Sequence, residues 1–330
     1  MQIIITGGAG FLGRRLAQAL LNKGSLADET GQQQEITRLI LFDIVSPNPP
    51  LAVDSRLTVQ TGDIVRPEVG RDLITPDTAA IFHLAAVVSG EAEADFELGM
   101  RVNLAATQQV LEACRHLATT PRLMFASSVA VFGGEMPPVI QDQTGPVPQS
   151  SYGSQKAIVE LLVNDYSRRG FVDGRVIRLP TIVVRPGKPN KATSTFASSI
   201  IREPLQGQPA VCPVSPELAL WIMSPRQAIR NFIHAAELPA EAWGPNRTVS
   251  LPGLTVSVQE MVDALTDLAG PTVAARIAWQ PDPFIEQIVG SWPARFAPQR
   301  GRQMGFQADD GMAEIIQAFV DDELGGQFVG

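Results

Sequence analysis

The chain has few of the residues that form disulfide networks and metal centres. Among its 330 residues are two cysteines, Cys114 and Cys212, and three histidines. Two thiols cannot form a disulfide network, and this supply of histidine and cysteine argues against a structural zinc site. We therefore expect no bound metal, and we expect both cysteines to be small buried residues rather than reactive thiols.

Long apolar runs and an excess of positive charge are also missing. No segment approaches the ~18 consecutive apolar residues that a membrane helix requires. Residues 1–7 lack a basic start and lead directly into an apolar run, which argues against a signal peptide. The net charge of −8 argues against a protein that binds a phosphate backbone. These absences predict a cytoplasmic protein that binds a small molecule and neither nucleic acid nor a membrane.

The first half of the chain alternates between two kinds of segment. Short apolar runs typical of strands cover residues 3–6, 39–42, 79–84, 122–127 and 175–178, and segments typical of helices cover residues 11–21, 102–117 and 152–168. Strands separated by helices predict right-handed crossovers and a parallel sheet. We therefore predict an α/β fold with a doubly wound Rossmann sheet, and we predict that the polar segment 24–37 is a loop.

Prolines become frequent beyond about residue 180 and break the chain into short pieces. The shorter helix-like stretches that remain cover residues 194–202, 226–236, 257–268 and 311–319. We therefore predict a Rossmann domain over residues 1–180 and a smaller, irregular substrate-binding region over residues 181–330.

Three glycines follow the first predicted strand at a spacing typical of a dinucleotide-binding turn. Gly7 permits the tight turn, Gly10 lets the backbone approach a pyrophosphate, and Gly13 lets the helix pack close to the sheet. The phosphates would lie at the helix N-terminus, where free N–H groups and the helix dipole favour negative charge. A tight turn between strand and helix that binds no ligand is the alternative.

A carboxylate ends the second predicted strand. Asp43 would accept hydrogen bonds from the adenosine ribose and repel a 2′-phosphate. It lies 30 residues after the last glycine rather than the ~20 expected, and the polar insertion accounts for the excess. We therefore favour NAD, while Arg14 and Arg15 leave NADP open. A second carboxylate, Asp63, would lie with Ile64 beside the adenine amino group or would cap a helix.

Tyr152 and Lys156 are four residues apart on a predicted helix, so their side chains share one face. An ammonium there would favour the phenolate and lower the pKa of the phenol below its ordinary value near ~10. That change would make the tyrosine a usable base near neutral pH. The alternative is a solvated helix face with no catalytic role.

Two serines, Ser127 and Ser128, follow the fourth predicted strand. They fall at the carboxyl end of a parallel strand, which is where ligands bind in open α/β sheets. A hydroxyl at this position could orient a substrate alcohol or carbonyl. The alternative is that these serines only end the strand and have no functional role.

These motifs together resemble the extended short-chain dehydrogenase/reductase superfamily, in its nucleotide-sugar epimerase-like branch, most densely over residues 1–185. The resemblance implies that Tyr152 and Lys156 are catalytic, that Ser128 is the catalytic hydroxyl and that Ser127 is a neighbouring candidate for catalysis or substrate contact. The other cofactor contacts that it implies, besides the glycines and Asp43, are Phe11, Leu12, Asp63, Ile64, Leu84, Ala85, Ala86, Asn103, Tyr152, Lys156, Pro180 and Ile182. It also implies a homodimer formed by paired helices.

One departure from the family pattern bears on the substrate. Nucleotide-sugar members carry a stretch with an arginine and a histidine that helps to hold a diphosphate, and residues 219–224 read Ala-Leu-Trp-Ile-Met-Ser instead. The segment 183–191 contains three cations, which suit an acidic substrate because a charged hydrogen bond to a carboxylate is strong and directional. The predicted substrate contacts are Ser127, Tyr152, Arg185 and Lys191.

The resemblance is strongest to the branch that oxidises four-carbon sugar acids. It implies NAD-dependent oxidation of the 2-hydroxyl of a small sugar acid such as D-erythronate. A nucleotide-sugar epimerase or dehydratase with tightly bound NAD is one alternative. A dinucleotide-sensing protein without catalytic activity is the other.

Overall fold

A computed structural model of the protein describes residues 1–189 and 192–330, and the chain divides into two compact units. The first contains Met1–Ser128, Ser150–Arg178 and Ile229–Val249, and the second contains Val129–Gln149, Leu179–Ala228 and Ser250–Gly330. The two units interleave along the chain, which differs from the single boundary near residue 180 that the sequence suggests.

The first elements in chain order are β1 Gln2–Thr6, α1 Phe11–Lys23, β2 Ser25–Ala27, β3 Gln33–Glu35, β4 Arg38–Asp43, β5 Leu57–Thr61, α2 Pro67–Leu73, β6 Thr78–His83, α3 Ser89–Ala94, α4 Phe96–Gly99, a π-helical turn Met100–Ala105, α5 Ala106–Arg115 and β7 Arg122–Ser128. A 3₁₀ turn, Val129–Val131, then precedes β8 Ile140–Gln141, α6 Ser151–Arg168, β9 Asp173–Leu179, β10 Thr181–Ile182, α7 Thr195–Leu205, β11 Ala210–Cys212, β12 Ala219–Met223 and α8 Pro225–Glu237. The remaining elements are α9 Ala240–Trp243, β13 Thr248–Ser250, β14 Leu254–Ser257, α10 Val258–Ala269, α11 Pro271–Ala274, β15 Ile277–Trp279, α12 Pro283–Gly290, β16 Phe296–Ala297, α13 Gln299–Gln303 and α14 Met312–Leu324.

A seven-stranded sheet in the order β13-β9-β7-β6-β1-β4-β5 forms the centre of the first unit. Strand β1 pairs in parallel with β4 on one side and with β6 on the other. The chain therefore builds outwards from β1 in one direction and then returns to build in the other. The point where the strand order reverses lies between β1 and β6, and in doubly wound sheets ligands bind outside the carboxyl ends of the strands at this point. The predicted Rossmann fold is confirmed.

The strands at the middle of this sheet are buried on both faces, as their β-branched and apolar sequences require. Ile4 and Leu123 belong to a core cluster that also contains Val110 of α5 and Val159 of α6. The ring of Phe232 in α8 packs edge to face against the ring of Phe82 in β6. Helices thus cover the sheet, and the functional groups can emerge only at the strand ends.

Local signals explain where the first helix ends. The backbone at Gly24 adopts a left-handed conformation with φ of 75°, and its N–H donates to Leu20 O. A glycine adopts this conformation without steric strain, and it satisfies a carbonyl that the helix end would otherwise leave without a partner.

The predicted loop over residues 24–37 is wrong in part, because strands β2 and β3 form an antiparallel hairpin there. Leu26, Ala27 and Ile36 are buried while β3 is exposed throughout. The apolar signal is therefore too sparse to show the period of two that would indicate strands. The predicted helix over residues 102–117 also differs at its start, because it begins with the π-helical turn.

The second unit contains a three-stranded sheet in the order β10-β12-β14 and smaller strand pairs. Its core includes Phe196 and Ile200 of α7, Met261 and Leu265 of α10, and Ile316 of α14. Helix α10 begins with a capping box, in which Ser257 and Glu260 each satisfy the other's backbone N–H.

Both cysteines are buried, as predicted. Burial raises the pKa of the Cys114 thiol to about 12, which keeps it in the unreactive neutral form. Among residues 1–189 and 192–330, no helix combines the length and the apolar character needed to cross a membrane.

Candidate active site

The glycine turn between β1 and α1 is tightly packed on one side and open on the other. The backbone at Gly7 has φ of 69°, and a Cβ there would lie 2.7 Å from the backbone nitrogen of Ala85. A Cβ on Gly13 would lie 2.4 Å from Gly7 O. Gly10 is exposed, and a Cβ there would meet only Gly7 O, at 3.2 Å. The turn therefore presses against the end of β6 and leaves Gly10 facing outwards.

The start of α1 fits an anionic group. Its N-cap is Gly10, which offers no side chain to the first backbone N–H groups, and its first turn contains no acidic residue. The positive end of the helix dipole is thus not neutralised by the helix's own residues. These features match the requirements of a dinucleotide pyrophosphate.

Substitutions at two of these glycines should separate binding from folding. We expect Gly10→Val to leave the midpoint of thermal unfolding within a few degrees of wild type and to weaken dinucleotide binding by about tenfold or more, because its side chain would occupy the phosphate position. We expect Gly13→Val to lower the unfolding midpoint, because its Cβ would overlap the backbone of the turn.

Calorimetric titration with the dinucleotide and scanning calorimetry of both variants measure the two effects. Unaltered dinucleotide affinity in Gly10→Val would contradict the placement of the pyrophosphate.

Asp43 lies at the end of β4, beside the glycine turn. Its Oδ2 accepts the Ala9 N–H at 2.9 Å, and its Oδ1 accepts the Ile44 N–H at 2.7 Å. Each carboxylate oxygen retains a further lone pair that can accept another hydrogen bond. The two backbone contacts therefore fix the carboxylate in an orientation that suits a ribose diol.

Asp63 and Ile64 follow β5. Asp63 Oδ1 accepts the Val65 N–H at 3.1 Å and so closes a turn. The N-cap position of the next helix, α2, is Arg66, and its side chain makes no capping hydrogen bond, so Asp63 is not the N-cap residue. Ile64 is buried in the core cluster of the first unit.

The segment Leu84–Ala86 continues from β6 and is bonded to the end of β1. Leu84 N–H donates to Thr6 O at 3.1 Å, and Ala85 N–H points at Thr6 Oγ1 at 3.4 Å. Thr6 Oγ1 lies 2.7 Å from Nδ1 of the buried His83. The segment is therefore held against the glycine turn by both backbone and side chain.

The protonation of His83 follows from its other contact. Nε2 lies 2.9 Å from Thr107 Oγ1, and that hydroxyl donates its proton to Asn103 O at 2.9 Å. Thr107 must then accept from Nε2–H, which leaves Nδ1 to accept from Thr6. Burial, followed by the charge of Lys156, lowers the pKa of His83 to about 3, so the ring stays neutral at physiological pH.

Asn103 occupies the π-helical turn, and its amide is buried. Oδ1 accepts the Val87 N–H at 2.9 Å, while Nδ2 donates to Val87 O at 3.2 Å and to Gln155 Oε1 at 2.8 Å. The amide of Asn103, a predicted cofactor contact, therefore binds the backbone of Val87, just after Ala86, and the side chain of Gln155 on α6. Such π-helical turns often occur at functional sites.

Tyr152 and Lys156 share one face of α6, as their spacing predicts. The Lys156 ammonium lies 5.5 Å from the centre of the Tyr152 ring and 4.7 Å from that of Phe125. It donates to Ala126 O at 2.9 Å and is 3% exposed. Burial lowers the pKa of Lys156 to about 8, against an opposing effect of Glu160. At neutral pH the lysine therefore remains mostly charged beside the phenol.

The two serines at the end of β7 have different environments. Ser127 is 2% exposed, and its hydroxyl donates to Glu160 Oε1 at 2.5 Å. Glu160 also forms a buried ion pair with Arg178, with Nη2–Oε2 at 2.6 Å. Ser128 is half-buried at the strand end. The Ser127 hydroxyl is thus engaged with the protein.

The sequence analysis misses Thr6, His83, Thr107, Glu160 and Arg178. Glu160 could have been predicted from the sequence, because it lies four residues after Lys156 and therefore on the same face of the helix. The others are brought to the strand ends by pairing that no local pattern encodes.

The remaining predicted site residues belong to the second unit. Pro180 precedes β10, and Ile182 lies within it, paired with Met223 of β12. The Arg185 N–H donates to Ser198 Oγ at 3.0 Å, and Arg185 O accepts from Arg202 Nη1 at 2.7 Å. Lys191 lies outside the described residues.

Residues 219–224, where nucleotide-sugar members carry an arginine and a histidine, form β12 and the residue that precedes α8. Ala219 begins the strand, and Ser224 is buried, with its N–H donating to Asp309 Oδ2 at 2.8 Å. No group of three or more His, Cys, Asp or Glu side chains in the described part of the chain could hold a metal ion.

The geometry agrees with what comparison with known proteins finds. A model of the NAD dependent epimerase/dehydratase family matches residues 3–240. The chain belongs to the NAD dependent epimerase/dehydratase family. The predicted family is therefore confirmed, and the cofactor is a nicotinamide dinucleotide.

Individual members of the family match over the full chain. The D-erythronate dehydrogenase of Cupriavidus necator is 55% identical over 98% of this chain and 98% of that protein. The D-erythronate dehydrogenase of Haemophilus influenzae is 47% identical over 98% of this chain and 100% of that protein. A crystal structure described as a nucleoside-diphosphate-sugar epimerase from Agrobacterium tumefaciens has a TM-score of 0.93 and 43% identity, and it covers 99% of this chain and 95% of its own.

Proposed function

We propose that the protein is an NAD-dependent dehydrogenase that oxidises the 2-hydroxyl of D-erythronate or a closely related sugar acid. The observation that carries this proposal is the near-complete match, at 55% identity, to a D-erythronate dehydrogenase. The Tyr152–Lys156 pair at the carboxyl edge of the sheet supports it, because a base is needed there to take the hydroxyl proton.

In the proposed reaction the substrate hydroxyl loses its proton to the Tyr152 phenolate. The bound dinucleotide would accept the hydrogen of the same carbon as a hydride, so that the alcohol becomes a ketone. Lys156 stabilises the phenolate by its charge. We assign the hydrogen bond to the reacting oxygen to Ser128, as the family resemblance implies, while the Ser127 hydroxyl donates to Glu160.

We propose that Arg185 and Lys191 recognise the substrate carboxylate. Arg185 suits this role because its guanidinium can form two parallel hydrogen bonds to a carboxylate. The shared occurrence of both cations in one short segment, 183–191, supports the assignment.

The choice of cofactor gives a further prediction. We propose NAD rather than NADP, because the Asp43 carboxylate would repel a 2′-phosphate and accept from a ribose diol. Replacing Asp43 with Ser should weaken NAD binding by about tenfold to a hundredfold, which corresponds to the loss of charged hydrogen bonds. NADP binding should be unchanged or improved. Calorimetric titration of both dinucleotides measures the ratio, and an unchanged ratio would contradict the role of Asp43.

An assay of NADH absorbance with four- to six-carbon sugar acids tests the function. We expect NADH to accumulate with D-erythronate or a near relative as substrate. The rival is a nucleotide-sugar epimerase with tightly bound NAD, which the description of the Agrobacterium tumefaciens structure favours. This alternative predicts that NAD stays bound to the protein during purification and that no net NADH is released. Turnover of a nucleotide sugar without release of NADH would overturn the proposal.

We also propose a homodimer. On α6, Ile158 and Leu161 are 41% and 71% exposed and lie three residues apart, so they form an apolar strip on one face. A dimer that pairs this helix with its symmetry mate would cover the strip. We expect sedimentation equilibrium to give the mass of two chains, and we expect Leu161→Glu to shift it towards one. A wild-type protein with the mass of one chain would rule the dimer out.

A further inference from the structure

A buried ion pair lies among the elements that carry the proposed catalytic groups, yet the proposed chemistry does not use it. Arg178 of β9 meets Glu160 of α6 through its Nε at 2.9 Å from Oε1 and through its Nη2 at 2.6 Å from Oε2. Ser127 of β7 donates to the same Oε1. All three side chains are buried, so the Glu160 carboxylate is enclosed by partners from three different elements.

Ser127 and Glu160 are close in sequence to proposed catalytic residues. Ser127 directly precedes Ser128, and Glu160 lies one helical turn after Lys156. Lys156 itself donates to Ala126 O at 2.9 Å. Two successive residues of β7, 126 and 127, are therefore tied to two successive turns of α6, immediately before the strand delivers Ser128.

Stability alone does not explain a charged group at this place. Removing two charges from water is unfavourable, and a buried ion pair is often no more stable than apolar side chains of similar size. A fork-shaped pair with an added hydroxyl is, however, far more directional than an apolar contact. The arrangement is therefore suited to fixing a geometry.

We propose that Glu160 is a positioning residue, whose carboxylate, gripped by Arg178 and Ser127, locks the end of β7 to α6 and so fixes Ser128 relative to the helix that carries Tyr152 and Lys156. The inference rests on the proposed dehydrogenase function. In this role Glu160 needs no contact with the substrate or the cofactor. It acts through the hydrogen bond from Ser127, which joins β7 to α6, while Arg178 of β9 orients the carboxylate.

The charges around Glu160 give it a second, electrostatic effect. Arg178 faces it from β9, Lys156 precedes it on α6, and His83 of β6 is neutral because burial lowers the pKa of its ring to about 3. The Glu160 charge raises the pKa of Lys156, against the larger and opposite effect of burial. Loss of this carboxylate would therefore let the ammonium lose its proton at a lower pH.

An apolar replacement of all three members separates positioning from stability. In the variant Ser127→Ala/Glu160→Leu/Arg178→Met no buried charge or hydroxyl of the cluster is left without its partner. We expect its unfolding midpoint and its dinucleotide affinity to stay close to wild type, and we expect kcat to fall by about tenfold or more. We also expect the alkaline limb of the pH–rate profile to move to lower pH. A variant with wild-type stability, kcat and pH profile would overturn the proposal.

Single variants keep the test decisive if the triple variant does not fold. Ser127→Ala removes one tether and should lower kcat several-fold with little change in KM for the dinucleotide. Its matched control is Ser167→Ala, because the Ser167 hydroxyl also donates one hydrogen bond, to Val163 O at 2.6 Å, but this bond lies within the C-terminal part of α6 and does not reach β7. Equal kcat values in these two variants would contradict the positioning role.

A structural readout distinguishes failure of this inference from failure of the proposed function. If the wild-type protein oxidises no sugar acid, the proposed function fails. Crystal structures of the wild type and the triple variant then decide the inference without substrate. Displacement of Ser128 relative to α6 by about 1 Å or more, the scale at which catalysis is lost, would support it. An unmoved Ser128 would overturn it.

Discussion

Replacing Tyr152 with Phe should lower kcat by at least about a hundredfold while leaving dinucleotide affinity near wild type. The variant keeps the aromatic ring but loses the only atom that we propose takes the substrate proton, and general base catalysis typically contributes ~10²–10⁴ in rate. Stopped-flow measurement of hydride transfer, together with dinucleotide titration, tests both parts.

The chain supplies its own control for this substitution. Tyr166 is the other of its two tyrosines and lies on the same helix, where its hydroxyl donates to Glu112. Burial and the Glu112 carboxylate raise the pKa of Tyr166 to about 12, so it remains a neutral phenol. We expect Tyr166→Phe to retain kcat. Near-normal turnover in Tyr152→Phe would end the assignment of the base.

Replacing Lys156 with Met should abolish most activity and yet stabilise the protein at neutral pH. The ammonium is buried, and the pKa of Lys156 is lowered from 10.5 to about 8 in the folded state. Below pH 8 the Lys156 side chain is charged in both the folded and the unfolded state. Burying this charge lowers the free energy of unfolding by about 3 kcal/mol. Methionine removes this cost but also leaves Ala126 O without the ammonium, a loss of about 1–2 kcal/mol.

The expected net effect is a gain of about 1–2 kcal/mol in the free energy of unfolding at pH 7 and a fall in kcat of about a hundredfold or more. The gain should shrink between pH 8 and 10.5, because the folded wild-type protein sheds the Lys156 proton there while its unfolded chain keeps it. Urea unfolding near pH 7 and near pH 10 measures the difference.

Lys23→Met provides the control, because Lys23 is partly exposed and pairs with Glu237 at 3.2 Å. A surface pair contributes about 0–1 kcal/mol, so this variant should show little change in stability or activity at either pH. A Lys156→Met protein that is less stable than wild type at neutral pH would contradict the claim that the buried Lys156 charge destabilises the folded protein.

Local sequence predicts the parts of the site that a single element carries. The glycine spacing predicts the turn because its two main requirements are local: Gly7 needs a positive φ, and Gly13 packs against Gly7 O within the same strand-to-helix unit. The Tyr152–Lys156 pair is predictable because residues four apart share a helix face whatever the rest of the fold does. Asp43 is predictable from its place at the end of a strand.

The tertiary structure alone decides which polar groups are already engaged. Ser127 and Ser128 are adjacent at the end of β7, and the contact of Ser127 with Glu160, 33 residues further along the chain, exists only in the folded protein. Asn103, predicted to contact the cofactor, directs its amide to Val87 and Gln155. His83 ends β6, and only the fold shows that burial keeps its ring neutral and that its partners on β1 and α5 set its tautomer.

The physical reason is the same in each case. Periodicity and turn chemistry act over a few residues, so the sequence by itself determined the Rossmann sheet, the dinucleotide turn and the base with its ammonium. A buried hydrogen bond or ion pair depends on which strands become neighbours, and that depends on the order in which β1, β6, β7 and β9 pair. Only the folded chain therefore decided that the Ser127 hydroxyl donates to the Glu160 carboxylate.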